Sequence, residues 1–296
     1  MPGEFDLIRW IQEQHTPSDL VHTGPGDDLA VLKWPGDDLL LVGVDQVLDG
    51  VHFDSTIHSP KAIGRKVMNR NLSDCAAMAC LPAAAVATVA LPRGIDLDYA
   101  KALYTGMREA ADPFACEIVG GDTASWDGKL AMTVAILGRS AGARPVLRNG
   151  AKPGDGIYVT GPLGGSLLGR HMTFTPRVFE AAVLVRKQSI TAMIDLSDGL
   201  SRDLRHICEQ SKVGAVIDAL AIPIHDDAIM ASRQDRRIPL EHALHDGEDH
   251  ELLFTTDPAA DLPHVRIGTI TAEPGIYIDR DGQREPLEPK GWEHAI

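Results

Sequence analysis

Leu39-Leu-Leu-Val-Gly-Val-Asp-Gln46 is a short apolar run that stops at a carboxylate, the pattern of a buried strand that delivers Asp45 at its carboxyl end. Beyond it, Ser59-Pro60 supplies a helix start, a capping hydroxyl followed by proline at the first helical position. Ala62, Ile63, Lys66, Val67, Arg70 and Asn71 continue at helical spacing, which puts Asn71 and Asp74 on one face of that helix. Residues 86–91 and 130–137 read as further strands, separated by a helix over 98–111 and a strand approaching Gly120. The first half is therefore mixed α and β.

At Gly150-Ala-Lys-Pro-Gly-Asp155 the pattern breaks into turn residues, and a domain boundary is expected there, dividing the chain into 1–149 and 150–296. A strand over 156–160 and the glycine-rich Gly161-Pro-Leu-Gly-Gly165 follow. Residues 192–194 read as a strand, after which Ser197 is placed to cap a helix carrying Leu200, Leu204, Ile207 and Cys208 on one face. Asp195 and Asp198 would then flank a helix amino terminus, a position that favours phosphate. Residues 252–255, 265–271 and 276–279 look like closing strands, with Asp281-Gly282 a hairpin turn.

Composition narrows the function. With 44% hydrophobic and 24% charged residues, the 296-residue chain is long enough for two domains of about 150 residues, and no apolar run reaches the roughly 18 residues of a membrane span. The amino-terminal stretch lacks the basic flank and apolar core of a secretory signal, so the cytoplasm is the expected compartment. Cys75, Cys80, Cys116 and Cys208 form no C-x-x-C pair and read as buried reduced thiols. A formal charge of −14 argues against a nucleic-acid partner, because backbone tracking rests on Lys and Arg.

Five aspartate-bearing segments carry the chemistry: Gly26-Asp27-Asp28, Val44-Asp45-Gln46, Asn71-Leu-Ser-Asp74, Gly120-Gly-Asp-Thr123 and Asp195-Leu-Ser-Asp-Gly199. One aspartate at a turn or cap has local hydrogen-bonding reasons to be there. Several converging without cations would repel one another, so the set suits hard divalent ions that in turn hold phosphates. Neither a G-x-x-x-x-G-K-[ST] loop nor a protein-kinase glycine loop is present, so phosphate binding must use another architecture.

These segments, with Gly3-Glu-Phe5, Asp49-Gly-Val-His-Phe53, Asn149-Gly-Ala-Lys-Pro-Gly-Asp155, Gly247-Glu-Asp-His-Glu-Leu252 and Lys290-Gly-Trp292, resemble the thiamine-monophosphate kinase family nearly end to end. That family is part of the aminoimidazole-ribonucleotide-synthetase-like ATP-binding superfamily. The resemblance implies a two-domain α/β (α+β) subunit, with an amino-terminal mixed sheet that forms a barrel in a homodimer and a carboxyl-terminal α/β domain. Asp28, Asp45, Asp74, Asp122, Asp195 and Asp198 are implied as magnesium ligands. Tyr104, Gly121, Asp122, Arg148 and Ser197 match the ATP-binding positions. His52, Glu248 and Trp292 match contacts to thiamine monophosphate, where an aromatic face beside a cationic thiazolium is physically sensible.

The reaction implied is transfer of the ATP γ-phosphoryl group to thiamine monophosphate, with Asp122, Arg148 and Asp198 at the reacting phosphates. A phosphate monoester has its second pKa near about 6, so its oxygen is already anionic at neutral pH and needs no general base. The chain departs from the family at Gly43-Val44, where a hydroxyl pair usually precedes the aspartate, at Gln46 for a usual Thr, and at Asp49 for a usual Glu. The segment between Gly165 and Ala192 is also short. Two alternatives remain open on sequence: another ATP-dependent enzyme of this architecture, or a dimer that binds nucleotide or thiamine phosphate without turnover.

Overall fold

In the computed structural model, which describes residues 8–10, 12–13, 18–34, 39–140 and 142–292, two β-sheets follow one another along the chain. Gly3-Glu-Phe5 lies outside the described residues. The first sheet has the order β1-β2-β3-β6-β4-β5, from β1 (Val21–Thr23), β2 (Ala30–Lys33), β3 (Leu39–Leu48), β4 (Cys80–Pro92), β5 (Glu117–Trp126) and β6 (Ala131–Ser140). Its strands pair antiparallel except β4 and β5, which run parallel because a helix connects them.

Two helices cover one face of this sheet. Helix α1 (Pro60–Ala77) starts where the sequence predicts, with the Ser59 hydroxyl accepting from Ala62 N at 3.2 Å. Helix α2 (Leu97–Ala111) is capped by Asp96, whose carboxylate accepts from Tyr99 N at 2.7 Å. The two pack with little side-chain separation: a Cβ at Gly64 would stand 1.9 Å from Leu103 O, and one at Gly106 would stand 2.0 Å from Lys61 O. Beneath them Ile63, Val67, Leu72, Val134 and Ile136 are fully buried.

Strand periodicity assigns the faces. Leu41 and Val47 point into this core, and Asp45 points the same way. Val44 and Gln46 point to the uncovered face, where Val44 is 63% exposed beside Val86 and Leu137. Asp45 is not at a strand end as the apolar run suggested: β3 continues three residues further because β6 offers it pairing through Leu48↔Ala131. Likewise β5 runs through Gly120-Gly121-Asp122, since β4 pairs with it as far as Trp126.

The second sheet has the order β13-β12-β9-β11-β7-β10-β8. Its strands are β7 (Gly156–Val159), β8 (Ala192–Asp195), β9 (Gly214–Asp218), β10 (Leu252–Thr256), β11 (Val265–Thr271), β12 (Gly275–Arg280) and β13 (Gln283–Pro286). Asp281-Gly282, both at positive φ, form the expected two-residue turn between β12 and β13. The helices of this part are α3 (Val178–Lys187), α4 (Leu200–Ser211), α5 (Asp226–Asp235) and α6 (Pro239–His245). Val178, Ala181 and Leu184 of α3 join the core under the first sheet, and so tie the two parts together.

Helix α4 does not begin as expected. Its cap is Gly199 rather than Ser197, and Asp203 Oδ2 accepts from the backbone N–H groups of Asp198 and Gly199 at 3.1 and 3.0 Å. A buried carboxylate of the helix itself thus occupies donors that the sequence reading left for phosphate. Gly106→Ala should lower unfolding stability by about 1–3 kcal/mol, because the added methyl meets backbone rather than a movable side chain. Urea denaturation checks this, and an unchanged midpoint would show that α1 and α2 separate without cost.

Candidate active site

A cavity of about 1250 Å³ opens between the two parts of the chain. It is lined from both: Asp28 before β2, Asp45 on β3 and Asp74 on α1 come from the first, and Arg148, Asp195, Ser197, Asp198, Glu248 and Trp292 follow the first sheet. His52, in the turn after β3, also lines it, and its Nδ1 accepts from Leu48 N at 3.0 Å.

Three carboxylates converge most closely. Oxygens of Asp28, Asp74 and Asp195 lie within 4.8 Å of one another. Burial, then the charges of Asp45, Asp195 and Asp28, push Asp74 well above the usual carboxylate range. Burial likewise raises Asp28 to about 6, against the pull of Arg148. Asp195 behaves differently: burial would raise it, but hydrogen bonds with His250 and from Ser73 Oγ at 2.5 Å hold it below its ordinary value. An all-oxygen set crowded enough to resist ionisation fits a hard divalent cation, whose charge would relieve the repulsion.

Protein cations surround this set. Arg148 grips Asp28 through Nε and Nη2 at 3.1 and 2.7 Å, and its backbone N–H donates to Asp27 at 2.9 Å. Across the cavity, fully buried Lys66 donates to Glu248 Oε2 at 2.6 Å and to His171 Nδ1 at 2.7 Å. Arg70 donates to Asp45 Oδ2 at 2.6 Å and to Glu248 Oε1 at 2.8 Å. His250 bridges Asp195 at 3.2 Å and Glu248 at 3.4 Å, stacked on Phe174 with ring centroids 4.0 Å apart.

These contacts set the charges. Burial opposes ionisation of Glu248, but Arg70, His250 and Lys66 outweigh it and hold the carboxyl well below its ordinary range. Burial also lowers His171, to about 4, with Lys66 adding to the effect, so this imidazole stays neutral and accepts the Lys66 proton donor. Sequence reasoning gave no chemistry to Lys66, Arg70 or His250. The available signal was the charge on α1: Lys66, Arg70 and Asp74 recur every four residues beside buried Ile63 and Val67, so charged groups share the helix side that packs inward.

Ten of the expected site residues line the cavity: Asp28, Asp45, His52, Asp74, Arg148, Asp195, Ser197, Asp198, Glu248 and Trp292. Trp292 is also part of the docked tail, its N–H donating to Asp198 O at 3.1 Å. Tyr104, Gly121 and Asp122 do not line it. Tyr104 is on α2 and half exposed. Gly121 pairs with Ala87, Ala87 with Val134, and Val134 with Asp45, so Gly121 stands three strand spacings from Asp45, roughly 14 Å. Asp122 occupies the next row, with Thr88, Thr133 and Gln46, on the uncovered face.

Two successive sheets with an acid-lined cavity between them match a known architecture. The model for the family AIR synthase related protein, N-terminal domain, covers residues 26–140. A thiamine-monophosphate kinase of Rhodopirellula baltica is 40% identical over 93% of this chain and 92% of its own length, and that of Aquifex aeolicus is 32% identical over 99% and 98%. The solved structure of AaThiL complexed with AMPPCP and TMP superposes with a TM-score of 0.87 at 30% identity, covering 99% of this chain and 97% of the other. The chain belongs to the thiamine-monophosphate kinase family.

Asp74→Asn removes one of three crowded charges at nearly constant volume. The metal-free variant should be more stable than the parent by on the order of 1 kcal/mol, and so melt at a higher temperature, and should lose the stabilisation that added Mg²⁺ gives the parent. Calorimetry with and without Mg²⁺ checks both. A lower melting temperature for the metal-free variant would contradict the crowding.

Proposed function

We propose that this protein phosphorylates thiamine monophosphate with ATP, giving thiamine diphosphate and ADP. The observation that carries this reading is the cavity itself, which joins ten of the family's expected contact positions in a chain that superposes over nearly its whole length on AaThiL complexed with AMPPCP and TMP. An anionic phosphate oxygen of the substrate attacks the γ-phosphorus, and the bond to the β-phosphate oxygen breaks. No side chain has to remove a proton.

The task left to the protein is to align two polyanions and offset their repulsion. Magnesium held by Asp28, Asp74 and Asp195, with Asp198 beside them, would neutralise phosphate charge. Arg148, fixed by its fork on Asp28, presents a permanent cation at the same edge. Glu248, its carboxyl held below the ordinary range, lines the cavity with Trp292 and His52, and these three would contact the bound thiamine monophosphate. The boundary near residue 150 gives each half a share of the site.

The working form in this reading is a homodimer. Val44, Val86 and Leu137 leave an apolar patch on the uncovered sheet face, and Val44 and Gln46 on that face also border the cavity. A second copy seated there would carry its own β5 toward that cavity, giving Gly121 and Asp122 a site in the partner. No described helix is long and apolar enough to cross a membrane. All four cysteines are buried free thiols, in agreement with a cytoplasmic setting.

Purified protein given Mg²⁺, ATP and thiamine monophosphate should form ADP and thiamine diphosphate in equal amounts. Nucleotide binding without product would overturn the kinase reading. The dimer has its own test. Asp122→Asn and Asp195→Asn should each inactivate their homodimers, whereas co-expressed mixed dimers should regain activity, because one of their two sites then keeps both carboxylates. Inactive mixed dimers would show that Asp122 serves the site of its own chain.

A further inference from the structure

Asp45 stands among the expected magnesium ligands, yet its surroundings suit a different cation. Arg70 Nε lies 2.6 Å from Asp45 Oδ2, and the same guanidinium reaches Glu248 at 2.8 Å. With Lys66 and His250 on the second oxygen of Glu248, the two carboxylates Asp45 and Glu248 are balanced by the protein's own cations. The excess negative charge of the cavity lies instead at Asp28, Asp74 and Asp195, whose oxygens converge within 4.8 Å. A divalent ion is drawn to the unbalanced set and finds no net negative charge at the balanced one.

Donor chemistry agrees. Mg²⁺ demands several oxygen ligands at about 2.0–2.1 Å. Gly43, on the same sheet face as Asp45, has no side chain, and a Cβ there would meet buried Leu29 Cδ2 at 2.1 Å, so the room for a hydroxyl is filled by a leucine. Val44 points to the opposite face and carries no oxygen either. Asp45 thus has an arginine in hand, and neither residue before it in the strand offers a side-chain oxygen to a metal.

We propose that Arg70 is a built-in cation that takes the place of a divalent ion at Asp45, so that the divalent ions of this site are held without Asp45. The inference rests on the magnesium reading above. It makes Arg70 a positioning residue: it links β3 to the 247–250 loop and holds Glu248 at the cavity edge without consuming a metal.

The test counts ions rather than turnover. Mn²⁺ bound per chain is measured on the full-length protein by the loss of the free-ion paramagnetic resonance signal, with the β,γ-methylene analogue of ATP present. Asp45→Asn should bind as many ions as the parent. Arg70→Gln should bind one more, and the double variant should return to the parental number, with circular dichroism unchanged in all three. Loss of one ion in Asp45→Asn would overturn the inference, as would an unchanged number in a natively folded Arg70→Gln. Those results leave the magnesium reading standing, whereas a parent that binds no Mn²⁺ with the analogue would overturn both.

Discussion

The like-charge crowding of Asp28, Asp74 and Asp195 is the constraint around which this structure is arranged. Carboxylates this close and this buried do not ionise together without compensation. The chain supplies part of it in fixed form: Arg148 on Asp28, and His250 with Ser73 on Asp195. Among the described residues no comparable donor reaches the Asp74 carboxylate, which is the most strongly disfavoured of the three as an anion. The site is thereby left short of positive charge at one point, the one where an incoming cation gains most.

That constraint explains why the cavity needs both halves of the chain. Helix α1 can present Asp74 only along one face, and β3 can present only alternate residues to that face. The compensating groups arrive from the turn at Arg148, the end of β8 and the loop at 247–250. In that loop Gly247, Glu248 and His250 all adopt positive φ, and the backbone N–H groups of Glu248 and His250 donate to Ser197 and Leu196 carbonyls at 2.8 Å. Left-handed backbone at two bulky polar residues is costly, and here it turns both side chains toward the α1 cations and Asp195.

Much of this was legible in the sequence because it depends on local rules. The Ser59-Pro60 start, the Asp281-Gly282 turn and the strands around residues 86–91 and 265–271 follow from capping, turn chemistry and periodicity. Most of the expectations that fell short involve partners distant in the chain. Asp45 and Asp122 looked like strand ends because polarity rose there, but pairing with β6 and β4 carries both strands onward. Ser197 looked like a cap, yet Asp203, one turn into the helix, already satisfies the local donors. Lys66, Arg70 and His250 were invisible as site residues because each has a carboxylate partner 25 to 182 positions away.

The same contrast separates two kinds of carboxylate that a sequence writes with one letter. Asp74 and Asp45 are both half-buried on the inner side of the first sheet and both border the cavity, but their charged partners differ. Asp45 holds a guanidinium at hydrogen-bond distance, and that guanidinium cannot lose its proton in any ordinary pH range. Asp74 faces three other acids, whose charges the same guanidinium offsets only in part. A cation entering the cavity therefore meets a gradient made by side chains alone, shallow at Asp45 and steep at Asp74. The geometry of one arginine, rather than the number of aspartates, decides where an ion settles and where the phosphates that follow it must lie.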